Sequence, residues 1–416
     1  MEQKTYPFEQ HGLSIKQIDL DALYVMEKLR TAGFTAYLVG GSVRDLLLNR
    51  RPKDFDISTS AEPEEIKKIF RNCILIGRRF RLAHIRFGKK TLEVSTFRSG
   101  RTESDELILR DNVWGSPEED ALRRDFTING LFYDPASQTI IDYVDGYPDL
   151  QKKLLRSIGQ PYFRFKQDPV RMLRLLKFQA RFGFEVDSPS QVALLECRSE
   201  IVKSAPARIL EELLRMLESG ASEQFFRLMT DHGLLHLLTP AFGEFMESSD
   251  REDVLSYLKE IDTTFHDASR PKLDRSVLLA CLIFPLLEKR IQTRFVSREK
   301  FPHLGEIYSE VQAQIDEAFG PFLNLPRRMR IHLASILTSQ YRLTPLDKKK
   351  KTRIRIPNDP DFHNALKFFE VRTCLEPALQ KTWEEWNQAY SPPETPREEH
   401  PRRRRRPRSS FKEKHA

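Results

Sequence analysis

The sequence predicts an α+β protein in which a mixed α/β head with a small β-sheet is followed by an all-α neck and body and a disordered basic tail. Three observations predict it. Over roughly the first 150 residues, short apolar runs alternate with segments of helical period. From Pro169 onward, apolar residues recur at three- and four-residue spacing and strand signals fade. Past Tyr390 the chain reads SPPETPREEHPRRRRRPRSSFKEKHA, with almost no apolar side chain to offset the entropy of ordering. At about 150 residues per domain, a chain of 416 residues divides into a head over 1–150, a neck over 151–240, a body over 241–390 and a tail over 391–416.

Taken in order, the pattern predicts a helix over Asp21–Ala32, a strand over Ala36–Val39, a helix over Ser42–Leu48, a strand over Phe55–Ser58 and a helix over Glu62–Phe70. Strands over Leu82–Phe87 and Thr91–Phe97 follow, joined by a tight Gly88-Lys89-Lys90 turn. Beyond Pro169, the stretches VRMLRLLKFQARFGF, ARILEELLRMLES and SVLLACLIFPLLEKR each carry a helical apolar face. No internal repeat emerges.

Composition narrows the class. Hydrophobic residues make up 39% and charged residues 31% of the chain, ordinary globular values, and no run approaches the ~18 apolar residues of a membrane span. The first residues lack a basic-then-apolar signal pattern. Cys73, Cys197, Cys281 and Cys374 lie far apart, which suggests neither a zinc site nor a disulfide framework. A soluble cytoplasmic protein with no membrane partner is expected. The net charge of +8 is concentrated: Arg397–Ala416 carries +6 and Asp347–Arg355 carries +5, leaving the remainder slightly acidic. Two basic patches on such a body suggest a polyanionic partner held at particular points.

The densest chemistry lies in Leu38–Thr59, LVGGSVRDLLLNRRPKDFDIST. An apolar strand runs into Gly40-Gly41-Ser42, which opens a helix, and such a turn offers backbone N–H groups to a phosphate. Arg44 can add charge-assisted bonds to the same group. Asp54 and Asp56 are one residue apart, so on a strand both project from one face while Phe55 and Ile57 turn to the core. Paired carboxylates repel unless a cation lies between them, and Mg²⁺ prefers such hard oxygen ligands. Glu93, in LEVSTF, could supply a third carboxylate from a neighbouring strand; the same pattern fits a Glu that faces solvent. His266-Asp267 has the look of a phosphohydrolase dyad but lacks flanking ligands, and a surface His bound to its neighbours accounts for it.

GGSVRDLLL followed by PKDFDIST resembles the signature of nucleotidyltransferases of the DNA polymerase β superfamily, in the branch that holds bacterial CCA-adding enzymes and bacterial poly(A) polymerases. The resemblance continues through RRDFTING (Arg123–Gly130), DYVDGYPDL (Asp142–Leu150) and DPVRMLR (Asp168–Arg174), and covers residues 10–240 in family order. It implies that Asp54 and Asp56 ligate two Mg²⁺ ions, with Glu93 helping to activate an RNA 3′-hydroxyl. It implies that Gly40, Gly41, Ser42 and Arg44 hold a triphosphate, that Arg124 reaches phosphate, and that Asp125, with Asn129 nearby, meets the ribose hydroxyls. Asp168 and Arg171 take the places of the acid and arginine that read the incoming base. Asp168-Pro169 equally reads as an N-cap with proline at the first helical position. The sequence departs from the family at Gln167, where Glu is expected, and at Gly130, where Ala is usual.

The two branches share these residues, so other segments must separate them. Leu75–Ile85 (LIGRRFRLAHI) and the basic tail both resemble bacterial poly(A) polymerases, and a flexible polycation neutralises RNA phosphates without reading sequence. The resemblance therefore implies a template-independent polynucleotide adenylyltransferase that adds AMP from ATP to RNA 3′ ends and releases pyrophosphate. The alternatives are a CCA-adding tRNA nucleotidyltransferase and a non-catalytic RNA-binding protein on the same scaffold.

Overall fold

A computed structural model describes residues 2–77, 82–99, 113–320, 322–347 and 354–390. Among them the strands are β1 (Lys4–Tyr6), β2 (Ala36–Val39), β3 (Ile57–Thr59), β4 (Cys73–Ile76), β5 (Leu82–Phe87), β6 (Lys90–Thr96), β7 (Arg98–Ser99), β8 (Val113–Trp114), β9 (Leu131–Asp134), β10 (Thr139–Asp142), β11 (Leu154–Leu155) and β12 (Glu185–Val186). Eight of them form one mixed sheet in the order β1-β10-β9-β2-β3-β6-β5-β4. Only the central β3–β6 pair in that sheet is parallel. The helix Leu20–Thr31 packs Ala22, Val25, Met26 and Leu29 against β2 and β3, and the Asp19 carboxylate caps it by accepting from the Asp21 and Ala22 amides. Leu38, Ile57, Val94 and Tyr133 complete this side of the core.

The Phe55–Ser58 strand is a correction. The ladder begins at Ile57, and Asp54 and Asp56 lie in the extended segment before it. The cause is β2, which bends away at Gly40: Val39 N–H still donates to Asp56 O at 3.0 Å, and upstream of that bond this partner is gone. Phe55 nonetheless packs against the core and Ile57 is fully buried. The β9–β10 hairpin and β1, which extend the sheet on the β2 side, were not anticipated. Other expected ends shift by a residue or so.

Helices dominate from Pro161–Gln167 onward, earlier than expected, and the short parallel β11–β12 pair shows that strand structure does not stop at residue 150. Val170–Phe182 packs on Ser222–Asp231 and Pro206–Leu217, and its Phe178 meets Phe126 and Arg44 of the head. Arg275–Arg294 is the central body helix, buried over most of its length despite Pro285 within it. All four cysteines are free and only Cys374 is exposed. No helix among the described residues is long and apolar enough to cross a membrane. Residues 78–81 within LIGRRFRLAHI, the lysine run at 348–353 and the tail at 391–416 lie outside the described residues.

Candidate active site

Where β2 ends, Gly40 takes φ +66° and the helix Gly41–Leu47 begins at once. The backbone angle favours glycine, and a Cβ at Gly40 would stand 2.8 Å from Arg124 Nη1 and push that guanidinium aside. Ser42 Oγ donates to Val39 O at 2.9 Å, closing the turn. The first-turn amides of such a helix have no intrahelical acceptor. This turn lies on a cavity of about 770 Å³ whose wall includes every residue expected to hold metal or nucleotide; Glu93 is not among them. Glu93 lines an adjoining cavity of about 260 Å³, and the two share Asp56 and Arg124.

The carboxylates are brought together by sheet register. Ile57 pairs with Val94 across the parallel β3–β6 ladder, so the preceding residues, Asp56 and Glu93, emerge side by side on the opposite face. Burial pushes the Asp56 carboxyl up to about 6; Glu93 and Asp54 push the same way, and only Arg124 opposes them. Glu93 also faces His84 Nε2 at 3.5 Å across the β5–β6 ladder. Among the described residues, no three or more His, Cys, Asp or Glu side chains form a ready-made metal cluster. The donor set nonetheless fits a hard divalent cation, because it holds uncompensated carboxylate charge that such an ion would relieve.

The arginines differ in how firmly they are held. Arg124 bonds Asp120 Oδ2 at 2.8 Å through Nη2 and reaches Asn129 O at 3.3 Å, with its guanidinium over the Phe132 ring. Arg44 is buried, donates to Asp45 Oδ1 at 2.9 and 2.7 Å and to Asn129 Oδ1, and lies against the rings of Phe178 and Phe182. Burial presses against its charge, and Asp45 opposes that. Asp125 is buried too, yet it accepts from Arg174 Nε at 2.7 Å, Asn129 Nδ2 at 2.9 Å and Phe126 N–H at 2.8 Å. Burial alone would raise its pKa, but Arg174 and Arg171 hold it well below the usual carboxylate range.

Sequence reasoning missed Arg174, Lys177 and Arg181, which continue from Arg171 along one side of Val170–Phe182 and line the large cavity. Their helical spacing was visible in VRMLRLLKFQARF, where the apolar positions drew the reading. Lys177 pairs with Glu212, and burial beside Arg174 pulls its pKa down to about 8. Arg181 donates to Asp45 Oδ2 at 3.1 Å, so Asp45 ties Gly41–Leu47 to Val170–Phe182.

Asp168 is corrected as a cap. It ends Pro161–Gln167, and no side chain caps the helix Val170–Phe182. Its oxygens instead meet Arg208 Nη1 and Nη2 at 2.9 and 3.0 Å, while Arg171 Nε stands 4.0 Å away. Arg171 donates to Arg124 O and Arg123 O at 2.9 and 3.0 Å. Gln167 is buried. At Gly130, a Cβ would meet Val144 Cγ2 at 2.5 Å, a physical reason for glycine there. His266 Nε2 bonds Gly220 O at 3.0 Å and Asp267 Oδ1 accepts from Ser269, so these two are local structure.

A family model described as "Poly A polymerase head domain" matches residues 36–156, and one described as "Probable RNA and SrmB- binding site of polymerase A" matches 183–246. Poly(A) polymerase I of Escherichia coli O157:H7 is 37% identical over 431 residues, covering 97% of this chain and 91% of the relative. That of Haemophilus influenzae is 35% identical over 399 residues, covering 91% and 86%. The CCA-adding enzyme of Lactobacillus helveticus is 36% identical over 225 residues, 52% of this chain and 54% of its own length. The crystal structure of the Bacillus stearothermophilus CCA-adding enzyme in complex with CTP shares the fold at a TM-score of 0.62 and 23% identity, over 88% of this chain and 80% of that one.

Proposed function

The chain belongs to the poly(A) polymerase family, and from that premise we propose that it transfers AMP from ATP to RNA 3′ ends without a template, releasing pyrophosphate. The observation that carries the chemistry is the pair of cavities meeting at Asp56 and Arg124, one lined by many cations and the other by Glu93. Likeness over nearly the whole chain to poly(A) polymerases, against about half of it for the CCA-adding enzyme of Lactobacillus helveticus, supports the choice of branch.

The large cavity receives the nucleotide. The Gly41 and Ser42 amides and the Arg124 guanidinium face its phosphates, while the Gly40 amide is taken by Leu131 O and Arg44 is held by Asp45 and Asn129. Asp125 stays ionised and, with Asn129, accepts from the ribose hydroxyls, since a carboxylate keeps lone pairs beyond those its partners use. Asp168 and the arginines beside it face the base. The small cavity receives the RNA end, with Glu93 placed to take the proton of the 3′-hydroxyl. Asp54 and Asp56 would hold two Mg²⁺ ions, which when bound supply charge neutralisation at the attacking and leaving oxygens. The Arg-rich tail adds sequence-blind RNA attachment, and the head, neck and body boundaries are those given by the sequence.

The test is to incubate the protein and Mg²⁺ with a generic RNA and with a tRNA lacking its terminal CCA, supplying ATP alone and then ATP with CTP. Long A tracts on the generic RNA are expected. Addition limited to three nucleotides on the tRNA would turn the reading to CCA addition, and no addition at all would leave an RNA-binding protein.

A further inference from the structure

Among the described residues, every lysine and arginine on the wall of the large cavity but one lies within 4.0 Å of a carboxylate. The exception is Lys53, which is exposed and has no hydrogen bond or ion pair with any described residue. The other cations are already matched to acids of the protein. Lys53 is left to meet an anion from solution.

Its approach to the cavity is set by the chain before it. After the helix Gly41–Leu47 the backbone folds back, with Arg50 N–H donating to Asp45 O at 2.8 Å and the Arg50 side chain donating to Arg181 O at 3.3 Å. Pro52 follows, buried and with its φ fixed by the ring, and delivers Lys53 to the wall. In chain order Lys53 stands between the turn that offers the Gly41 and Ser42 amides and the carboxylates of Asp54 and Asp56, and all of these line the one cavity. The rival role for such a lysine is to offset those two carboxylates. Yet it forms an ion pair with neither. Burial, Glu93 and Asp54 press on the Asp56 carboxyl, and the cation that opposes them is Arg124, not Lys53. An ammonium on a flexible stem suits a phosphate group that must be held and then let go.

We propose that Lys53 is a catalytic residue that meets the β- and γ-phosphates of ATP and neutralises the departing pyrophosphate. This rests on the reading of the large cavity as the ATP site. In the step, the RNA 3′-oxygen gives its proton to Glu93 and bonds to the α-phosphorus. The bond from that phosphorus to the oxygen it shares with the β-phosphorus breaks, and its electron pair leaves on pyrophosphate. Negative charge therefore grows on the leaving group, where an ammonium not already paired is most effective.

The test uses full-length protein, Mg²⁺ and one generic RNA, and measures kcat and KM for ATP, the inhibition constant of added pyrophosphate and the half-saturating Mg²⁺ concentration. Lys53→Ala should lower kcat/KM for ATP by about 10-fold and weaken inhibition by pyrophosphate by a similar factor. Lys53→Arg, which keeps the charge, should recover most of both, and Lys53→Met, which keeps only the stem, should recover neither. Lys53 is exposed, so melting temperatures should stay unchanged across the three variants. Undiminished pyrophosphate inhibition in Lys53→Ala would overturn the assignment, and tighter Mg²⁺ binding in its place would give Lys53 the rival role. Wild-type protein that incorporates no AMP would strike instead at the polymerase reading.

Discussion

Asp56 on the sheet wall of the cleft is half-buried and Asp125 near its helix wall is buried, and although burial pushes both carboxyls upward they move in opposite directions. Asp56 has two carboxylates for company and one arginine, and its pKa rises to about 6. Asp125 has Arg174, Arg171, Asn129 and a backbone amide, and stays well below the usual range. Burial is common to both, so compensation makes the difference. On the helix wall, acids and bases satisfy each other: Arg174 with Asp125, Lys177 with Glu212, Arg181 with Asp45. On the sheet wall, negative charge is left over. Charge balanced within the protein serves as scaffold, whereas unbalanced charge marks where something from solution must bind.

The contrast can be broken most severely at Asp56. Asp56→Asn should reduce AMP incorporation by roughly 10²–10³-fold or more while thermal stability holds or rises, because a repelling carboxylate has been removed; melting curves beside single-turnover assays check both halves. Asp125→Ala should destabilise the fold by about 1–3 kcal/mol, since the Phe126 amide and the Asn129 side chain lose their buried acceptor, as denaturant titration would show, and should also weaken ATP binding. Gly40→Ala should cost about 1–3 kcal/mol for the backbone angle and lower activity by displacing Arg124. The mildest change is at Lys177. Its folded pKa of about 8 lies below the ordinary 10.5, so between those values the unfolded chain holds a proton that the folded one has lost. Stability from this group therefore rises with pH across that window. The stability of Lys177→Met relative to the wild type should accordingly fall between pH 8 and 10.5, measured by denaturant titration at several pH values.

Local signals in the sequence carried the sheet wall well. The Gly40 turn, the Asp54–Asp56 spacing and the neighbouring Glu93 strand are each legible within a few residues, and the register of β3 on β6 then joins them. The β9–β10 hairpin escaped notice because LFYD and TIID are four-residue runs whose partners, β2 and β1, are remote in sequence. The helix wall was harder to read for the same reason. Arg171 lies three residues from Asp168, which invites a local ion pair, but its acceptors are the carbonyls at 123 and 124. Arg208 reaches Asp168 from 40 positions away, and nothing in ARILEELLRMLES marks it. The departure at Gly130 has its steric reason in the approach of Val144, which the sequence does not display.

The division between a balanced and an unbalanced wall is tested most directly by the shift in melting temperature on adding saturating Mg²⁺. A ligand that binds only the folded state raises that temperature. Wild-type protein should show the rise, Asp56→Asn should lose it without melting earlier, and Asp125→Asn should melt earlier yet keep it. An undiminished Mg²⁺ shift in Asp56→Asn would contradict the account.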